Sequence, residues 1–105
     1  MKIYVDTTGK QLTASKDPEP KNDQNGKQKI DREGAPMWTT QVMALDETGA
    51  EVLGVTVAGV KPNVTVGQLV LPVGLEAIPW ANNGRNGVAF RAVELKVPQP
   101  ASVKG

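Results

Sequence analysis

Trp38, Trp80 and Phe90 carry most of the large aromatic surface of this chain, whose one other aromatic residue is Tyr4. Arg85 and Arg91 stand on either side of Phe90 and follow Trp80 closely, and Lys61 lies upstream of them. Residues of these types suit a planar, negatively charged partner. Aromatic rings on a sheet stack with a base of any sequence for about 1–3 kcal/mol each, and cations beside them neutralise phosphates. Binding of that kind weakens as salt rises, because it releases counterions. Trp38, Lys61, Trp80, Arg85, Phe90 and Arg91 are therefore the candidate nucleic-acid-binding set, with Lys2 and Lys96 as supplementary charge.

Each of these residues also has a packing interpretation. Phe90 alternates with Val88 and Ala92, which fits a core position as well as a stacking one. Trp38 alternates with Thr40, Val42 and Ala44 on a face that would be half-buried. Trp80 follows a proline and precedes a turn, where a tryptophan can simply cover the end of a barrel. Arg85 sits in a polar tip and is exposed on either view. Tyr4 reads as packing or as cover for a sheet edge.

Other chemistries have little to work with. There is no cysteine, so disulfides and thiolate nucleophiles are excluded. There is no histidine either, which removes the imidazole base of most hydrolases and leaves only carboxylates to hold zinc. No enzyme activity and no cofactor are expected. The GRNG stretch at residues 84–87 lacks the Lys-Ser/Thr continuation and the strand-to-helix setting of a phosphate loop. Asp46, Glu47 and Glu51 could hold a divalent ion, but around a hairpin loop they read as solvated surface charge. Twelve basic and eleven acidic residues leave a net charge of +1, so any nucleic-acid contact must be local rather than a general basic coat.

The elements that would position these residues are strands. Residues 2–7 alternate, with Ile3 and Val5 on one face, and residues 12–14 give a second short apolar segment. Residues 16–36 hold three prolines, balanced charges and almost no large apolar residue, which predicts a long flexible hairpin arm or loop with a disordered tip. Residues 37–46 and 50–58 predict a hairpin, with Leu53, Val55 and Val57 on one face and a bulge or sharp coil at Gly54. Residues 61–67 form a linker. Residues 68–80 predict one long bent strand with Leu69, Leu71, Val73, Leu75 and Ala77 on a common face. A turn over residues 81–87, where Asn-Gly pairs supply positive φ, leads to the last strand at residues 88–97. Helical periodicity is absent throughout.

The expected class is all-β: a five-stranded OB-like Greek-key barrel, with the long arm and little or no helix. The barrel should occupy residues 1–97 as a single domain, and residues 98–105 should be a disordered tail. The space at residues 59–67, where such barrels usually carry a helix, is too short and too rich in proline and valine for more than a turn.

Several short motifs follow one another along the chain. Asp31-Arg32-Glu33-Gly34 with Pro36 is followed by Trp38-Thr39, then by Val66-Gly67. Next come Gly74-Leu75-Glu76-Ala77-Ile78-Pro79-Trp80 and the segment at residues 84–92 that includes Val88, Ala89 and Phe90. In this order the chain resembles the small regulatory proteins carried by actinobacterial plasmids and integrative conjugative elements. More broadly, residues 64–80 look like the fourth-strand region of single-stranded-DNA-binding OB proteins. The resemblance implies a role in replication, transfer or regulation of a mobile element, and no particular chemistry.

Together these features predict a non-enzymatic protein that binds single-stranded DNA, with RNA as the alternative strand. The rival is a protein-interaction module of the same fold, forming a homodimer or a complex with a replication or regulatory protein through open barrel edges. Without an apolar run of about 20 residues or a signal-peptide core, a cytoplasmic location and no membrane partner are expected.

Overall fold

A computed structural model describes residues 2–98. Every regular element is a strand, and no described segment is helical. There are nine: β1 (Ile3–Tyr4), β2 (Gln11–Ala14), β3 (Glu19–Pro20), β4 (Met37–Asp46), β5 (Gly49–Ala58), β6 (Leu71–Val73), β7 (Glu76–Asn82), β8 (Arg85–Arg91) and β9 (Glu94–Lys96). The main sheet runs β1-β7-β8-β5-β4-β2, with β3 also on β4, and β6 pairs β9 in a small second sheet. The main sheet is strongly curled into a half-barrel.

The β4–β5 hairpin is the backbone of the fold. Ten residue pairs run in unbroken antiparallel register from Met37↔Ala58 to Asp46↔Gly49. Thr40, Val42 and Ala44 of β4 and Val55 and Val57 of β5 point to the same buried side, as period-2 alternation requires. Leu12 and Ala14 of β2 join them, as do Val64, Val70, Leu75, Ala92 and Leu95. The expected bulge at Gly54 does not form. Gly54 pairs Gln41 within the continuous ladder, at the level where β5 begins to pair with β8.

The nine strands replace the expected five because three predicted strands are broken and the arm adds a short one, β3. Residues 2–7 supply only β1, followed by the Val5 N–H donating to the Leu75 carbonyl. The long strand over residues 68–80 divides at Gly74, whose φ of +64° is a left-handed conformation that β-branched or bulky residues avoid. That break resets the alternation. Val70 is therefore buried while Leu69, Leu71 and Val73 are exposed, the reverse of the expected face, and only Leu75 and Ala77, beyond the break, keep their inward places. The last strand breaks at Ala92 and Val93, where the chain leaves β8 to pair with β6.

One stretch of chain reaches both ends of the sheet. Residues 67–70 run along β2, with Val70 N–H donating to the Leu12 carbonyl and Ala14 N–H to that of Gln68. The same stretch continues past Gly74 into β7, beside β1. The region of residues 16–36 folds back on itself through two turns. Asp23 Oδ1 accepts from the N–H groups of Asn25 and Lys27 in one, and Asp31 Oδ1 from those of Glu33 and Ala35 in the other. It docks on β4 through β3 and through Met37, whose N–H donates to Lys29 O. The tail predicted over residues 98–105 lies, apart from Pro98, outside the described residues.

Candidate nucleic-acid interface

The β7–β8 hairpin is tighter than the seven-residue turn expected. Strand pairing continues to Asn82↔Arg85, leaving only Asn83 and Gly84 as the loop. Their φ values of +51° and +80° are those of a type I′ turn, which matches the twist of the flanking strands and favours Asn-Gly. Trp80 and Arg85 are therefore strand residues, held at defined heights.

Register decides which side chains can act together. Asn82↔Arg85, Trp80↔Gly87, Ile78↔Ala89 and Glu76↔Arg91 are opposite pairs, so Trp80, Arg85 and Arg91 share one face of the hairpin. Phe90 is on the other face. It pairs with Ala77 and with Val55, and it packs against the core. Val55 and Phe90 face the core, so their neighbours Thr56 and Arg91, and with them the Trp80 face, lie on the opposite side of the sheet.

Trp80 is 45% exposed and lies across Gly87. A Cβ on Gly87 would come 2.9 Å from Trp80 Cζ2, so the indole occupies the space a side chain would need. The glycine thus allows a flat aromatic surface to rest on the neighbouring strand with its other side open. Arg85 is exposed and makes no ion pair among the described residues. Arg91 is partly neutralised by Glu76, with Nε 3.4 Å from Oε1.

Trp38 is separate from this group. It pairs with Val57 on the inner side of the sheet and with Pro20 of β3, and its indole N–H donates to the Gly59 carbonyl at 2.9 Å. Lys61 lies over its ring, Nζ 5.9 Å from the centroid, within cation–π range. The six predicted residues therefore form an outer trio of Trp80, Arg85 and Arg91, a pinned pair of Trp38 and Lys61, and Phe90 against the core.

The structure adds Lys21, which the sequence did not single out, and gives Tyr4, read there as packing or edge cover, an exposed position. The Lys21 ammonium donates to Thr56 Oγ1 at 3.0 Å, which brings the arm over the outer face of β5. Burial, and then the nearby Lys29 charge, lower the Lys21 pKa from its ordinary value. Tyr4, exposed on β1, shares a cross-strand row with Glu76, Arg91 and Thr56. No sequence signal marked Lys21, because it sits among alternating charges whose partners depend on how the arm folds.

At the far end of the β4–β5 hairpin, Lys10 and Asp46 form an ion pair at 2.7 Å. The Lys10 hydrogen bond, with those from Thr48, holds the Asp46 carboxyl well below the usual carboxylate range. Among the described residues no group of three or more acidic side chains is placed to hold a metal ion, and no helix is long and apolar enough to cross a membrane. No protein-family model, curated protein or solved structure matches the chain.

Proposed function

We propose that the protein binds single-stranded nucleic acid, DNA foremost, without catalysis, on the outer face of β4, β5, β8 and β7. The observation that carries this is the half-open Trp80 indole, resting on Gly87 and flanked on the same face by Arg85 and Arg91. Stacking on one side of the ring with cations alongside is what a base-and-phosphate chain requires.

The strand order supports an OB-like barrel as the frame. β1 and β2 are separated by one turn and serve opposite ends of the sheet, so they count as two halves of a broken first strand. With residues 67–82 taken as one bent fourth strand, the strand order can be read as 1-2-3-5-4-1, with a parallel 3–5 pair, β5 on β8. OB barrels bind oligonucleotides on the face of strands 2 and 3, between the loops joining strands 1–2 and 4–5. Here those are β4–β5, the arm and the Asn83-Gly84 turn. The resemblance to regulatory proteins of plasmids and conjugative elements is the ground for assigning the binding to a mobile element's replication, transfer or regulation.

Titrating the protein with oligo-dT at low salt while following tryptophan fluorescence tests the proposal. Trp80→Ala and Arg85→Ala should both weaken binding; the same affinity in all three proteins rejects this surface.

A second function, pairing with a protein, is favoured by a specific feature. β5 and β8 pair only at Val55↔Phe90 and Thr56↔Arg91, so residues 49–54 and 85–89 each keep one unpaired edge among the described residues. Such edges accept a further strand. A concentration-dependent dimer in sedimentation, with new amide protection at residues 49–54, would favour that function over nucleic-acid binding.

A further inference from the structure

Between the arm and the sheet is a cleft of about 250 Å³, lined by Lys2, Tyr4, Asp31, Thr56, Glu76 and Arg91 among others. Four of its lining residues, Tyr4, Glu76, Arg91 and Thr56, stand in one cross-strand row. Tyr4↔Glu76, Glu76↔Arg91, Arg91↔Thr56 and Thr56↔Thr39 are successive partners, so all five side chains belong to the outer face. Lys21 of the arm is not itself a lining residue, but its ammonium donates to the hydroxyl of Thr56, which is.

The two acids at this cleft differ in their partners, and only Glu76 has a cation. Glu76 pairs with Arg91, and Asp31 Oδ1 accepts the two N–H groups of its own turn. No described carboxylate pairs with Lys2, Lys21 or Lys29. Lys21 and Lys29 are close enough for repulsion to be felt at Lys21, which is also partly desolvated. The lining thus sets Lys2 and Arg91 against Glu76 and Asp31, with the Lys21 ammonium bonded to Thr56 beside them, and it includes an exposed phenol ring, Tyr4 being 62% accessible.

We propose that this cleft is a nucleotide subsite, in which one base of a single strand stacks on Tyr4 while Lys21, Lys2 and Arg91 hold the adjoining phosphate. The subsite rests on the nucleic-acid proposal above and extends it. Trp80 stands on the same face, four residues along β7 from the partner of Tyr4, or roughly 13 Å at the rise of an extended strand. A strand crossing the outer face engages both rings. Tyr4, rather than Trp38, is then the second stacking residue, because Trp38 faces inward and its indole N–H is already bonded.

The test is fluorescence anisotropy with labelled dT15 at low salt on the full chain and its Tyr4→Phe, Tyr4→Leu, Lys21→Gln and Trp80→Ala variants. Tyr4→Phe keeps the ring and should bind within about twofold of wild type. Tyr4→Leu keeps apolar cover on β1 but not the π-face, and should weaken binding roughly 5- to 150-fold. Lys21→Gln should weaken binding and reduce the log–log salt slope by about 0.7. Thermal unfolding midpoints of the two Tyr4 variants should match, which separates a binding role from a structural one. If Trp80→Ala weakens binding but Tyr4→Leu does not, the subsite is wrong and the broader proposal stands. If wild type does not bind dT15, both fall. Competition by dTMP as effective per nucleotide as dT15 would make the cleft a free-nucleotide site and overturn the strand path.

Discussion

Replacing Gly87 by alanine tests whether Trp80 is held flat on the sheet. The glycine has no positive φ, so the backbone itself accepts alanine. The new methyl carbon would lie 2.9, 3.1 and 3.2 Å from Trp80 Cζ2, Cε2 and Nε1, all atoms of a rigid ring. The indole must therefore swing off the strand. Trp80 is 45% exposed, so about half its surface is covered. Uncovering on the order of 100 Å² of a large aromatic costs about 2.5 kcal/mol at about 25 cal/mol per Å². Alanine returns about 0.5–1 kcal/mol relative to glycine in a strand, leaving a net loss of about 1.5–2 kcal/mol. In a domain of this size that lowers the unfolding midpoint by roughly 10 °C. Urea and thermal unfolding would measure the loss, and a red-shifted tryptophan emission should accompany it. Oligo-dT affinity should fall with it, because the ring no longer presents an ordered face. Unchanged stability, emission and affinity in Gly87→Ala would refute the stacked arrangement.

Three further predictions concern other parts of the molecule. Thr40 is fully buried and its hydroxyl has no hydrogen-bond partner among the described residues, so Thr40→Val should raise stability by about 1 kcal/mol in urea unfolding. Asp46 has a depressed pKa in the fold, so its contribution is complete above its unfolded value of about 3.9 and is lost as pH falls below it. The stability gap between wild type and Asp46→Asn should therefore be present at pH 7 and shrink by pH 2.5, read as urea midpoints. Arg85→Ala should reduce the slope of log affinity against log salt by about 0.7, the amount for one phosphate on a single strand.

The all-β class and the β4–β5 hairpin were legible because strict alternation of Thr40, Val42 and Ala44 against Val55 and Val57 survives intact in the sheet. The Asn83-Gly84 turn was legible for the same local reason, since few other dipeptides accept its geometry. Residues 68–80 were misread because one left-handed residue, Gly74, shifts the phase of everything before it, and alternation cannot show where that happens. Gly87 looked like turn chemistry, whereas it makes room for an indole on the next strand. The candidate site was half legible. Trp80 and Arg85 share a face by register, but Trp38 sits among similar residues and its inward turn depends on a distant carbonyl, that of Gly59. The arm was opaque because its Lys21–Thr56 contact joins residues far apart in the chain, and no local pattern encodes such a pairing.

The most direct measurement is an oligo-dT titration of the Trp38→Phe variant, whose only tryptophan is Trp80. Saturable quenching of its emission at low salt, relieved as salt rises, is the predicted result. An emission unchanged at every oligonucleotide concentration, in a protein shown to be folded, would contradict the assignment of this face to single-stranded nucleic acid.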